Sequence, residues 1–238
     1  ALGEYVISAD SDDWIDNNAY EQMYDIALKE EADVVICDIA YEYENHTDIH
    51  HIKVFDTPEE VLRASLDGKI HNSLCNKMIR RDLFSRYNLR WIDGADMLED
   101  TFAMTRIFFY ASKVSFVHEV YYHYLQFNSE SITSASKKWP RKNFDSIIVN
   151  TNNLVEFFLN QNKYDVRKNI MYTKSSSKNM LLFFEHDKHE RRQYHKMYRD
   201  CTFSSIFTHP TLSVRRKLVL ALSKIGLYGF ADMVIGLK

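Results

Sequence analysis

Three carboxylates occupy four consecutive positions near the start of the chain: Asp10, Asp12 and Asp13, with Ser11 among them. They follow Tyr5-Val6-Ile7, a short apolar run that reads as a strand. Like charges this close raise one another's pKa or recruit a cation. Oxygen-only ligands favour a hard divalent ion, Mg²⁺ or Mn²⁺, whose charge then neutralises phosphate oxygens. The residues alone therefore predict a metal-diphosphate site at the carboxyl end of a buried strand, where open α/β sheets place ligands. A plainer reading stays open: a solvated acidic turn ahead of a helix that Asp16 or Asn17 could cap unaided. An EF-hand is excluded, because Ile15 stands where that loop needs Gly and Trp14 where it needs an oxygen ligand.

Two later stretches carry further chemistry. Met97-Leu98-Glu99-Asp100-Thr101-Phe102 opens an amphipathic helix that runs to about Ala111. A carboxylate in a first helical turn is kept ionised and oriented by free backbone N–H groups and the helix dipole. An ionised Asp there can take the proton from an incoming hydroxyl. Acidic residues also suit a first turn with no chemistry attached. Earlier, Asn76-Lys77 lies in the stretch Ser73 to Trp91. Lys77 has two readings, a phosphate contact or a structural ion pair.

Taken in order, these motifs resemble family 2 glycosyltransferases of the GT-A fold. GEYVISADSDDW (3–14) resembles the DxD segment of that family. The run from Ser73 resembles its W-N-K-L segment, with Cys75 in place of Trp, and Glu99-Asp100-Thr101-Phe102 resembles its E-D-x-x-F motif. The stretch up to Ser134 resembles its closing segment, with Leu125 where Arg is common and with Ser131 and Thr133 as polar contacts. The likeness covers residues 3 to about 135. It implies that Asp10 lies near the ribose of a nucleotide sugar and that Asp12 reaches the metal, Mn²⁺ or Mg²⁺, bridging the diphosphate. Asp13 and Lys77 would assist donor binding. Asp100 would be the catalytic base and Glu99 its support. The implied reaction is inverting transfer of a sugar from a uridine diphosphate donor to a hydroxyl of a glycan or lipid-linked glycan. Other classes remain open on the residues: a metal-dependent phospho- or nucleotidyl-transfer enzyme, which also needs carboxylates around Mg²⁺, and an inactive fragment or scaffold. The family places a first sheet-half ahead of the DxD strand, so the chain is expected to lack that nucleotide-binding half.

The elements that must position these residues follow from pattern. Residues 18–31 read as a helix and 32–38 as a buried strand running on towards Tyr43. A second strand is expected at about His50 to Phe55. Thr57-Pro58-Glu59-Glu60 starts a helix, with Thr57 as N-cap, Pro58 at N1 and Glu60 at N3. Residues 113–127 read as one or two strands, whose Tyr121, Tyr122, Tyr124 and Phe127 are expected as core and wall. Helices are expected near 140–162, 164–186 and 187–200. Together with the resemblance, these elements imply an α/β GT-A mixed sheet over 1–136, incomplete at its N-terminal side, with a helical region over 137–238.

Composition sets outer limits. A hydrophobic content of 45% can support a sizeable core. The three cysteines share no metal-ligand spacing and suit a reducing cytoplasm. No apolar run approaches the ~20 residues of a membrane span, and no signal peptide is read at the start. Charge is uneven: net −14 over residues 1–100 but +6 over 187–238. The stretch 212–238 interleaves Arg215, Arg216, Lys217 and Lys224 with apolar residues. Such a helix can lie on an anionic membrane surface or pack its apolar side on the body. The expectation is a cytoplasmic protein, peripheral on the inner face of the membrane, with no nucleic-acid partner.

Overall fold

A computed structural model describes residues 2–127 and 139–236. Ser131, Thr133 and Lys238 lie outside the described residues. The chain runs β1 (Tyr5–Ile7), β2 (Trp14–Ile15), α1 (Ala19–Lys29), β3 (Val34–Glu42), β4 (Thr47–His50), α2 (Pro58–Leu66), β5 (Lys77–Arg80), α3 (Asp82–Arg86), α4 (Glu99–Tyr110) and β6 (Val114–Leu125). Helices then follow: α5 (Arg141–Leu159), α6 (Arg167–Phe184), α7 (Lys188–His195), α8 (Phe203–Phe207), α9 (Val214–Lys224) and α10 (Tyr228–Gly236).

These elements form two compact units. Counting the described residues within each range, the first takes Ala1–Ser65, Ile70–Trp91 and Ala103–Ser134. The second takes Leu66–Lys69, Ile92–Phe102 and Ala135–Lys238.

The first unit is built on a mixed sheet in the order β1-β5-β3-β6-β2, with β4 also on β3. Its central strand is β3, buried from Val34 to Ala40. It runs parallel to β6 and antiparallel to β5 and β4. That setting explains the unbroken apolar run at its start, since a strand covered on both faces has no polar side to present. Helix α1 buries Ala19, Met23 and Ala27, spaced four apart, in a core with Val35, Cys37 and Ile39. The β3–β6 register shifts between Cys37 and Ile39. Such bulges redirect side chains. Tyr122, opposite Ile39, is the residue at which β6 regains register.

The expected capping box at α2 forms: the Glu60 N–H donates to Thr57 Oγ1 at 3.2 Å and the Thr57 N–H to Glu60 Oε2 at 3.3 Å. Three expectations are corrected. Strand β1 is half-buried at an edge of the described sheet, not buried within it. The second strand lies at Thr47–His50, not 50–55, because the Ile52 N–H donates to the buried Asp38 carboxylate at 2.8 Å instead of to a strand partner. At α1 neither Asp16 nor Asn17 is the N-cap; Asn18 is, without a side-chain bond, and the Ala19 N–H donates to the Asp16 carbonyl at 3.1 Å.

The second unit is helical. Its core gathers Phe144 and Ile147 of α5, Leu181 and Leu182 of α6, Tyr194 of α7, and Val219 and Leu220 of α9. The Trp139 ring lies flat on Phe184, with centroids 4.0 Å apart. Two stretches expected with the sheet pack here. Met97 joins this core, and Asp67 accepts from Asn169 Nδ2 at 2.6 Å. The expected boundary at 136/137 misses both, because such bonds join residues far apart in sequence. The tail forms two helices. Gly226, at φ +83°, breaks the chain between them in a backbone region that only glycine enters freely. Among the described residues no helix is long and apolar enough to cross a membrane.

Candidate active site

The Asp13 N–H donates to the Asp10 carbonyl at 3.2 Å and closes the acidic segment into a turn. This turn is fastened to β6. The Tyr122 hydroxyl accepts the Asp10 N–H at 3.2 Å and donates to Asp13 Oδ2 at 2.5 Å. The Leu125 N–H donates to Asp13 Oδ1 at 2.9 Å. Both Asp13 oxygens are thus engaged by β6, while Asp10 and Asp12 lie exposed. Immediately beyond, Trp14 and Ile15 pair with His123 and Tyr122, and the Trp14 ring stacks on His123 at 5.0 Å. The turn is therefore held at its base and at its exit.

The electrostatics match the crowding. Burial, then the charges of Asp13 and Asp12, push the Asp10 carboxyl above its usual range. Burial and the bond to Asp13 raise the Tyr122 phenol, so it stays a donor. Among the described residues, no three carboxylate, imidazole or thiol groups converge as a ready-made metal cage. Mg²⁺ rarely uses one; it usually takes one or two carboxylates together with substrate phosphates and water. Two exposed neighbouring carboxylates, one raised by its neighbours, fit that partial donor set.

Lys77 opens β5 beside the Ile7–Met78 pair. It is fully buried. Its Nζ donates to the His71 carbonyl at 2.8 Å, the Ser73 carbonyl at 2.6 Å and Asn76 Oδ1 at 2.6 Å. A lysine ammonium can donate three hydrogen bonds, and each of these acceptors is a neutral oxygen. Asn76 in turn donates Nδ2 to the Cys37 carbonyl at 2.6 Å. The sequence offered a phosphate contact or an ion pair. The geometry gives a third role, a buried ammonium that organises the 71–76 loop and ties it to β3.

Glu99 and Asp100 belong to the second unit, as the first residues of α4. Both sit in the first turn, where the dipole favours the ionised carboxylate. Just ahead, Leu98 adopts φ +63°. A bulky residue in that region costs about 1–2 kcal/mol, and such strain gathers at functional sites. Asn150 of α5, 1% exposed, grips the same stretch. Its Nδ2 donates to the Ala95 carbonyl at 2.9 Å and the Met97 carbonyl at 2.8 Å.

Sequence reasoning missed Tyr122, Leu98 and Asn150. Tyr122 was expected only as core and wall. Neither period nor spacing marks a tyrosine whose partners lie 112 and 109 positions away.

Residues 1–87 match the family described as Glycosyl transferase family 2. EpsH of Bacillus subtilis (strain 168), a glycosyltransferase by name, is 31% identical over 153 residues, covering 61% of this chain and 43% of that protein. Cholesterol galactosyltransferase of Borreliella burgdorferi is 29% identical over 137 residues, covering 51% of this chain and 37% of that one. The chain thus spans less than half the length of the curated relatives it matches. Among solved structures, S. aureus TarS 1–349 in complex with UDP-GlcNAc superposes with a TM-score of 0.67 at 16% identity, covering 98% of this chain and 68% of that one. TarS 1–349 with UDP gives 0.58 at 15%, covering 99% and 64%. At that identity the likeness shows the fold: the mixed α/β GT-A type expected, with helices on its C-terminal side.

Proposed function

We propose that the chain is a family 2 glycosyltransferase, the family that residues 1–87 match, and that it serves transfer of a sugar from a uridine diphosphate donor to a hydroxyl of a glycan or lipid-linked glycan. The observation that carries this reading is the acidic turn fastened to β6 by Tyr122, which leaves Asp10 and Asp12 exposed. The TarS structures with UDP-GlcNAc and UDP lend support to a uridine nucleotide donor.

In this mechanism Asp13 is a positioning residue. Asp12, with Asp10 beside it, would hold Mn²⁺ or Mg²⁺ against the donor diphosphate, and Asp10 would meet the ribose. The bound ion supplies the positive charge that offsets the leaving diphosphate. Asp100, ionised at the start of α4, takes the proton of the acceptor hydroxyl as that oxygen bonds to the anomeric carbon. The bond from that carbon to the diphosphate breaks, and its electron pair leaves with the phosphate oxygen. A single displacement inverts the carbon. Glu99 supports Asp100, and Lys77 organises the 71–76 loop of the first unit. A lipid-linked acceptor would be met at an anionic membrane surface, with the 212–238 stretch against it.

The test is calorimetry of UDP binding to the full-length protein with and without Mn²⁺. We expect metal-dependent heat, lost in Asp12→Asn. Absence of such heat in the unaltered protein would overturn the donor assignment. Unchanged Mn²⁺-dependent binding in Asp12→Asn would remove the metal from Asp12. Transfer to phosphate acceptors rather than to sugar hydroxyls would favour the phosphotransfer class.

A further inference from the structure

The basic residues of the tail are largely engaged within the second unit. The Arg215 guanidinium donates to the Val234 carbonyl at 3.1 Å and the Ile235 carbonyl at 2.6 Å, closing the end of α10. Lys217 Nζ donates to the Phe207 carbonyl at 3.0 Å and Lys224 Nζ to the Arg199 carbonyl at 3.0 Å. Arg216 lies over the Phe183 ring. These cations fasten helix ends and loops.

Different cations face open space. A groove of about 470 Å³ lies between α7 and the start of α10. Lys188, His189 and Arg192 line one side and Gly226, Tyr228 and Gly229 the other. Lys188 and Arg192 are exposed, and among the described residues neither has an acidic partner. The carboxylate in the groove, Asp232, is engaged by Arg191 Nη1 at 2.9 Å and His195 Nε2 at 3.3 Å. A Cβ added at Gly226 or Gly229 would meet nothing within 4 Å, so the floor is open there.

The rim beside this groove is apolar. Phe230 is 60% exposed and Met233 64%. Met233 stands four residues after the groove glycine Gly229 within α10 and so lies one turn along the same side, and Phe230 directly follows Gly229. Ile225 and Leu227, 57% and 43% exposed, extend the patch. Unpaired cations beside large exposed apolar groups are complementary to one kind of surface. The cations meet phosphate at the headgroup level while the apolar side chains enter the acyl boundary.

We propose that the α7–α10 groove is a docking site for an anionic phospholipid bilayer, with Lys188 and Arg192 on the headgroup phosphate and Phe230 and Met233 inserted beside it. The inference deepens the membrane part of the reading above by moving the contact from the Arg215–Lys217 run to these residues. It does not depend on the transfer reaction.

The test is co-sedimentation of the full chain with vesicles of phosphatidylcholine, alone or with phosphatidylglycerol. We expect binding to the anionic vesicles only. Each cation at an anionic surface strengthens partition about fivefold, so Lys188→Gln with Arg192→Gln should weaken it about 25-fold. Phe230→Ser with Met233→Ser should weaken it at least as much, with the circular dichroism of the fold unchanged in both variants. Binding unaltered in both double variants, but lost when Arg215 and Lys217 are neutralised, would overturn this site and leave membrane contact through the tail standing. No binding of the unaltered chain would overturn both. Glycerol 3-phosphate in solution is the remaining arm. Saturable binding of it without any vesicle partition would assign the groove to a free phosphate and overturn the bilayer.

Discussion

The Tyr122 hydroxyl joins two members of the acidic turn, accepting from the Asp10 backbone and donating to the Asp13 carboxylate. One oxygen on a central strand thus sets the base of the turn from which Asp12 projects. Tyr122 is 1% exposed, so water cannot replace it without a rearrangement. Tyr122→Phe keeps the ring and removes the bond. A hydrogen bond to a charged acceptor is worth about 1.5–3 kcal/mol, so a stability loss of that order is expected in chemical denaturation. Metal-dependent UDP binding should weaken as well, although neither Asp10 nor Asp12 is altered. Binding as tight as in the unaltered protein would show that the turn keeps its shape without Tyr122.

Asp10 yields a prediction with a sign. Burial and the neighbouring Asp13 and Asp12 charges raise its folded pKa above the unfolded value. The folded state then binds more protons than the unfolded one between those two values. Stability falls as pH rises through that window, and the ionised group remains a cost above it. Asp10→Asn should therefore raise Tm of the metal-free protein at neutral pH and leave it nearly unchanged in acid below both values. Saturating Mn²⁺ should remove the gain, because a cation among the carboxylates relieves the repulsion. A gain that persists with Mn²⁺ would separate Asp10 from the metal.

What could be read from the chain was local. The β1 strand, the Thr57–Glu60 capping box and the start of α4 each declare themselves within a few residues, through apolar runs, cap chemistry and first-turn carboxylates. The mixed α/β class followed from the order of such signals. What stayed hidden depends on contacts across the chain. Lys77 sits in an acidic half of the sequence, which suggested a charged partner, yet its ammonium bonds neutral oxygens of the 71–76 loop. Residues 92–102 look like a link into α4, but Asn150 and the core around Met97 place them in the helical unit.

Lys77 is tested through stability. Lys77→Met keeps much of the stem and deletes the ammonium, leaving the His71 and Ser73 carbonyls and Asn76 Oδ1 without that donor. Leaving a buried polar group unsatisfied costs about 1–3 kcal/mol, so a loss of at least 3 kcal/mol is expected in urea denaturation. UDP affinity of the fraction that stays folded should change little. A stable Lys77→Met protein that has lost UDP binding would restore the direct phosphate contact.

Asn150 tests the second unit in the same manner. Asn150→Leu fills the space but leaves the Ala95 and Met97 carbonyls unbonded, at about 1–3 kcal/mol each. The stretch they hold leads through the strained Leu98 into Glu99 and Asp100. If that grip positions the base, kcat should fall well beyond any change in the donor KM. An unchanged kcat in a destabilised protein would make Asn150 a packing residue only.

Asp100 carries the sharpest kinetic expectation. It lies in the first turn of α4, behind a residue with positive φ, with the preceding backbone held by a buried amide. A base acts in the transition state, when the acceptor proton is in transit, and contributes little to ground-state donor binding. Asp100→Asn preserves shape and removes the basic oxygen. It should lower kcat about 10²–10⁴-fold while the donor KM moves little. The same change at Glu99 should cost less, since that residue only supports the base. The pH profile separates the base from a structural acid: the acidic limb of kcat/KM, present while Asp100 titrates, should disappear in Asp100→Asn. Equal losses at Glu99 and Asp100 with the limb intact would return both carboxylates to the plain role of residues suited to a first helical turn.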